Sequence, residues 1–103
     1  MKEVSYKLFF KAFSNKTRFN IIQLLRKKSK SVTEICNELE FEQSRVSHNL
    51  KCLENCGFVD FKWNGKNKIY GLDKKHIIPV LKEIDRHIET YNKRLESCGV
   101  LKK

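Results

Sequence analysis

The sequence holds one proline and four glycines, and no window of about 18 uninterrupted apolar residues. With so few breakers and no low-complexity linker, it reads as a run of helices interrupted by one hairpin. The missing apolar run excludes a transmembrane helix. The opening MKEVSYKLFF lacks the long apolar region and small-residue cleavage site of a secretory signal. A cytoplasmic protein with no membrane partner is expected. A Gly-rich phosphate loop, paired carboxylates and a nucleophile–base spacing are also missing, so no enzyme is expected.

What the chain has in excess is positive charge: 22 Lys and Arg against 12 Asp and Glu, a net +10 over 103 residues. A small domain this basic points to a polyanion. Double-stranded DNA fits better than a membrane, because no strongly basic amphipathic helix stands alone. Ordinary surface lysine is the competing explanation. Four cysteines in a cytoplasmic chain argue for reduced thiols or a metal rather than disulfides.

A short helix is expected over roughly Tyr6 to Phe13, apolar on more than one side at Leu8, Phe9, Phe10, Ala12 and Phe13. Asn15 can cap the next helix, KTRFNIIQLLRKK, whose Phe19, Ile22 and Leu24/Leu25 follow helical spacing. Ser31 and Glu34 fit a capping box. Val32, Ile35, Cys36 and Leu39 then make one apolar stripe, and EFE at residues 40–42 breaks the pattern as a turn. A second helix runs from about Gln43 to Asn55, with Val46, Leu50 and Leu53 as its buried line and Gly57 as its stop. Short helix, tight turn, longer helix is a helix-turn-helix pattern.

The period then drops to two. FVDFKW and KIYGL flank NGKN, a hairpin signal, and Lys62, Lys66 and Lys68 cluster on it, making a basic wing. A last helix, about Lys75 to Glu96, carries Ile77, Val80, Leu81, Ile84, Ile88, Tyr91 and Leu95 on one side and tolerates Pro79 in its first turn. That apolar face is longer than one small domain needs, so a homodimer through the N- and C-terminal helices is expected. The fold class is mainly α with a small β-hairpin: one winged helix-turn-helix domain over residues 1–103, ending in a short tail.

On a wheel of about 100° per residue, Val46, Leu50 and Leu53 define the core direction of Gln43–Asn55. Ser44, Ser47, His48 and Lys51 lie roughly opposite, able to meet base edges or phosphates. Gln43 and Arg45 add bidentate donors near the helix start. These six residues, with Lys62, Lys66 and Lys68, are the expected DNA-binding set. A solvated helix face would show the same residue types; the helix-turn-helix pattern, the basic hairpin and the charge together favour DNA.

Cys52 and Cys56 fall about 100° from the core direction, on a flank shared with Arg45 and Asn49. Side chains four apart on a helix are neighbours, about 5–6 Å between Cβ atoms. That suits two thiolates sharing an ion and suits a disulfide poorly. A third thiol, Cys98, stands in LESCGVLKK, a mobile tail able to close over the pair. Three thiolates select soft or borderline ions such as Cd(II), Pb(II), Zn(II) or Cu(I). Without a fourth ligand they fit Cd(II) or Pb(II) better than structural zinc. Cys36, on an apolar stripe, reads as a small buried hydrophobe.

SNKTRFNIIQLL and TEICNELEFEQSRVSHNLKCLENCGFVDFKWNGKNKIYGL resemble the ArsR/SmtB family of winged-helix metal-responsive repressors. SRVSHNLKCLENCGFV is particularly similar to its cadmium/lead-sensing branch. The resemblance implies a metal site of Cys52, Cys56 and Cys98, with Cys98 coming from the other subunit of a homodimer. The family's thiol site on the first helix of the helix-turn-helix looks absent, since Ser31 and Thr33 stand there. Its zinc site on the last helix is matched only by His76 and His87, with Lys74 and Thr90 where other ligands would be. The expected function is a repressor that leaves operator DNA when a soft ion binds, Cd(II) or Pb(II) first and Zn(II) as a further candidate. A thiol redox regulator and a constitutive DNA-binding protein with inert cysteines are the alternatives.

Overall fold

Two side-chain caps and two left-handed residues decide where the central helices begin and end. In the computed structural model, which describes residues 2–103, the elements are α1 (Glu3–Ser14), α2 (Lys16–Lys27), α3 (Val32–Leu39), α4 (Gln43–Asn55), β1 (Val59–Asn64), β2 (Asn67–Leu72) and α5 (Ile77–Glu96). They form two compact units, divided between Asp73 and Lys74. The first helix is longer than its apolar cluster implied, and the last starts two residues later than expected.

Asn15 starts α2 by accepting the Arg18 N–H at 3.0 Å. Ser31 and Glu34 complete a full capping box on α3. The Glu34 N–H donates to Ser31 Oγ at 3.2 Å, and the Ser31 N–H donates to the Glu34 carboxylate at 2.9 Å. Hydrogen bonds from the Ser31 backbone and then its hydroxyl hold the Glu34 carboxyl below its usual range. Glu40, left-handed at φ 56°, ends α3. Gly57, at φ 80°, ends α4. There the Phe58 N–H reaches Leu53 O at 2.9 Å and the Gly57 N–H reaches Glu54 O at 3.1 Å, the paired bonds of a Schellman motif.

The core of the first unit is one apolar cluster: Ile21, Ile22 and Leu25 of α2, Ile35 of α3, Val46, Leu50 and Leu53 of α4, then Phe58, Val59, Tyr70 and Leu72. α2 packs on α1, α3, α4 and β2. Phe19 is not part of it, being 46% exposed. With Ile21, Ile22 and Leu25 inward, helical spacing turns Phe19 about 110° away. Cys36 is half-buried rather than enclosed. α1 is pinned by its rings: Phe9 and Phe13 each lie 5.1 Å from Phe58, centroid to centroid. Its other side leaves Val4, Tyr6, Leu8 and Phe10 exposed.

β1 and β2 pair antiparallel from Val59↔Leu72 to Asn64↔Asn67, with Gly65–Lys66 as the turn. A third segment joins them: Lys30 and Tyr70 exchange backbone hydrogen bonds of 2.9 and 2.8 Å. Gly71 permits this approach, since a Cβ there would meet Ser29 Oγ at 2.6 Å. Lys30 also pairs with Glu38 of α3 at 2.8 Å.

In the second unit α5 breaks at Tyr91, whose φ −114° and ψ 16° are not helical. The hydroxyl of Thr90 donates to Arg86 O at 3.2 Å, a back-bond of the kind that bends helices. Ile84, Ile88, Tyr91 and Leu95 of the expected stripe are exposed. The short tail has local backbone order of its own. The Cys98 N–H bonds Leu95 O and the Lys102 N–H bonds Cys98 O, both at 3.2 Å, so the chain keeps turning beyond α5.

Substituting Ser31→Ala is expected to cost about 1 kcal/mol in denaturant unfolding, and Gly57→Ala about the same, from its positive φ. The lowered Glu34 carboxyl has a pH signature. Its stabilisation is present above the ordinary carboxylate range and fades as pH falls through the lowered value. Ser31→Ala should flatten that acid limb of the stability–pH curve.

Candidate nucleic-acid interface and thiol site

Packing of Val46, Leu50 and Leu53 inward fixes what α4 presents outward. Gln43, Ser44, Arg45, Ser47, His48 and Lys51 are all exposed. Five of these, Gln43, Ser44, Ser47, His48 and Lys51, project from the side of α4 away from the core. Arg45 differs: its Nε donates to Thr17 Oγ1 at 2.8 Å, and its guanidinium stacks over Phe41 at 3.7 Å. Arg45 therefore seats α4 on α2 and on the turn before α4.

The three wing lysines do not form one cluster. Pairing of Lys62 with Ile69 and of Trp63 with Lys68 puts Lys62 and Lys68 on opposite faces of the hairpin. Lys66 sits in the turn. Lys62 and Lys66 are exposed. Lys68 is half-buried, its Nζ 4.2 Å from the Phe61 ring centroid and 5.6 Å from that of Trp63. Trp63 is itself 63% exposed, an aromatic platform on the wing that charge counting overlooked.

The thiols divide as the chain does. Cys52 is half-buried and Cys56 exposed, and the two line one groove at the last turn of α4. Burial pushes the Cys56 thiol above its ordinary value, and the charge and hydrogen bond of Cys52 add to this; Arg18 pulls the other way. An open groove of about 390 Å³ runs along this end of α4, lined by His48, Lys51, Cys52, Asn55 and Cys56. Cys98 belongs to the second unit, half-buried in a shallow pocket with His87, Tyr91, Arg94, Leu95 and Leu101. Among the described residues of one chain, no three His, Cys, Asp or Glu side chains gather to hold an ion. His76 and His87 stand on or beside the same helix, about three turns apart, with the His87 ring on that of Tyr91 at 4.8 Å.

On the flank shared by Arg45, Asn49, Cys52 and Cys56 the middle is enclosed and the two ends are exposed. Asn49 is only 8% exposed because Arg18 covers it. Sequence reasoning missed Arg18, Asn49 and Thr17. One signal was available: on the wheel of α2, Arg18 falls within about 15° of the apolar line of Ile21, Ile22 and Leu25, where a charge needs buried partners.

Comparison with known proteins agrees with this geometry. Residues 15–60 match the family model described as bacterial regulatory protein, arsR family. The HTH-type transcriptional regulator NmtR of Mycobacterium tuberculosis is 33% identical over 78 residues, which are 76% of this chain and 65% of that protein. A solved structure of apo-NmtR superposes with a TM-score of 0.68 at 32% identity, covering 85% of this chain and 72% of the other. The cadmium resistance transcriptional regulatory protein CadC homologue of Staphylococcus aureus is 30% identical over 79 residues, 76% of this chain and 65% of that protein. The homodimeric winged helix-turn-helix DNA-binding domain of Mb0332 from Mycobacterium bovis shares the fold, with a TM-score of 0.72 at 20% identity over 85% and 83% of the two chains. The chain spans 51–65% of the length of the curated relatives it matches. These relatives are transcriptional regulators, not enzymes.

Arg45→Ala should lower unfolding stability by about 1–2 kcal/mol, through the lost hydrogen bond and ring contact. Ser44→Ala and Ser47→Ala should stay within about 0.5 kcal/mol. Chemical denaturation of the three variants makes the comparison.

Proposed function

The chain belongs to the ArsR family of bacterial regulatory proteins, and from that membership we propose that it is a repressor released from operator DNA by a soft metal ion. The observation that carries the metal reading is the pair of Cys52 and Cys56, which share one open groove at the end of the outward-facing helix. The likeness to the CadC homologue supports the same reading.

As a homodimer the protein presents two copies of α4 to successive major grooves of a pseudo-palindromic operator. Gln43, Ser44, Ser47, His48 and Lys51 face bases and phosphates, with Arg45 holding the helix start in place. Lys62 and Lys66 reach phosphates from the wing, and Lys68 contributes charge through its aromatic seat. Exposed apolar residues on α1 and α5 support dimerisation through these helices.

The donor set fits a thiophilic ion. Cys52 and Cys56 supply two sulfurs, and the partner subunit's Cys98 supplies the third. Once bound, Cd(II) or Pb(II), with Zn(II) as a weaker fit, supplies the positive charge that lets three thiolates share one place. Each thiol must first lose its proton. Both Cys56 and the end of α4 then change their charge surroundings, and a coupling of about 1–3 kcal/mol loosens operator binding.

Titration of the reduced protein with Cd(II), Pb(II), Zn(II) and Cu(I), with operator DNA present, tests the reading. Thiolate-to-metal absorption should saturate stoichiometrically while operator affinity falls about 5–150-fold. Cys52→Ser should abolish both effects, and Cys98→Ser should weaken loading. A redox regulator would give no such band under reducing conditions. If no ion alters operator affinity, metal sensing fails and DNA binding stands.

Two further measurements follow from charge. Because the Cys56 thiol is held above its ordinary value, protons already compete at neutral pH, and metal affinity should fall continuously as pH is lowered from the alkaline side through neutrality. Lys62→Ala and Lys66→Ala should weaken binding to all sequences alike, each flattening the log–log salt dependence by about one.

A further inference from the structure

The hairpin carries a large apolar side chain past the edge of the core. By the pleat, Val59, Phe61 and Trp63 of β1 share one face, and the register sets Leu72, Tyr70 and Lys68 opposite them. Val59, Tyr70 and Leu72 are buried, Phe61 is half-buried, and Trp63 is exposed. Burial thus falls away along one face as the wing leaves the body, and the largest side chain of that face stands at its far end.

A single exposed apolar residue is ordinary, but this one is held in place. The Trp63 ring meets Phe61 edge-on at 5.8 Å, and Phe61 lies 5.8 Å from Tyr70 of the core. Lys68, directly across the ladder, lays its ammonium 4.2 Å from the Phe61 centroid and 5.6 Å from that of Trp63. The result is an apolar plate with a cation fixed at its side. The one carboxylate of the hairpin, Asp60, falls on the opposite face, near the base.

The hairpin is also fixed to α4. The turn at Gly57 joins them, Phe58 is buried beside it, and the Asp73 N–H donates to Phe58 O at 3.0 Å. Both strands are therefore tied at the foot of α4, and the plate keeps a set position relative to the outward face of that helix. Protein interfaces are depleted in lysine, whereas this indole stands among Lys62, Lys66 and Lys68. Apolar plate beside fixed cation matches the strand of a DNA duplex, in which sugars with apolar edges alternate with anionic phosphates.

We propose that Trp63 and Lys68 together hold one strand of operator DNA beside the groove met by α4, the indole packing on a deoxyribose and the Lys68 ammonium meeting the adjacent phosphate. The proposal rests on the DNA-binding half of the repressor reading and is independent of any metal. Trp63 supplies a contact that salt does not screen, whereas Lys62 and Lys66 supply charge alone.

Trp63 is the only tryptophan of the chain, so intrinsic fluorescence reports on this contact directly. The probe is a duplex recovered from a random-sequence pool by repeated binding to the wild-type protein. Its addition should protect the indole from quenching by acrylamide. Trp63→Ala should weaken binding about five- to tenfold and leave the log–log salt slope unchanged, while Trp63→Phe should recover part of the loss. Lys68→Met should flatten that slope by about one.

Undiminished acrylamide quenching with the duplex bound overturns the proposal, as does wild-type affinity in Trp63→Ala or an unchanged slope in Lys68→Met. Protection that grows as the protein alone is concentrated would set the indole against a second copy, and overturns it as well. The fluorescence measurement needs no variant, so a Trp63→Ala chain that does not fold still leaves a decisive result. If the pool yields no duplex, the DNA-binding reading fails and takes the proposal with it. A duplex that binds and leaves the indole open to quencher removes the proposal alone.

Discussion

The burial of Val46, Leu50 and Leu53 against α2 and α3 is the constraint on which the rest depends. Each such side chain, fully buried, contributes about 1.5–3 kcal/mol, against about 1 kcal/mol for a hydrogen bond at the edge of the helix. No polar contact of α4 can turn the helix against that preference. The same three residues therefore set the outward face, the flank that carries sulfur, and the angle at which Asn49 meets Arg18. Function on this helix is a remainder: it occupies what the core leaves over.

Much of this was legible because local rules govern it. The bounds of α4, the capping box of α3, the stop at Gly57 and the hairpin at NGKN are written in neighbouring residues, although the strands reach inward to Asn64 and Asn67 and leave only Gly65–Lys66 as the turn. What escaped was decided at long range. Phe19 has helical spacing yet faces outward, because Ile21 rather than Phe19 completes the inward line. Arg45 has the chemistry of a base reader, yet Thr17, 28 residues away, engages it. The wing lysines look like one patch until the register of β1 on β2 separates them by face. The tail beyond α5 has a polar composition, yet backbone bonds around Cys98 keep it turned.

Charge and sulfur are arranged economically along one helix. The residues facing outward near its start and middle are small and polar or basic; the thiols come at its finish, where the Schellman turn closes the chain into β1. A cation held there would sit beside Lys51 and His48, which line the same groove as both thiols. Electrostatic and mechanical effects on DNA binding would thus originate within a few residues of each other.

The interruption at Tyr91 gives the second unit a joint. Cys98 lies seven positions further on, an arm of about 10 Å at helical rise. Pivoting such an arm by about 20°, the bend of an ordinary helix kink, carries its end some 3–4 Å. Such a swing exceeds a metal–sulfur bond length of about 2.3 Å. A small rotation about one residue thus relocates the terminal sulfur and leaves the preceding fourteen residues of α5 undisturbed.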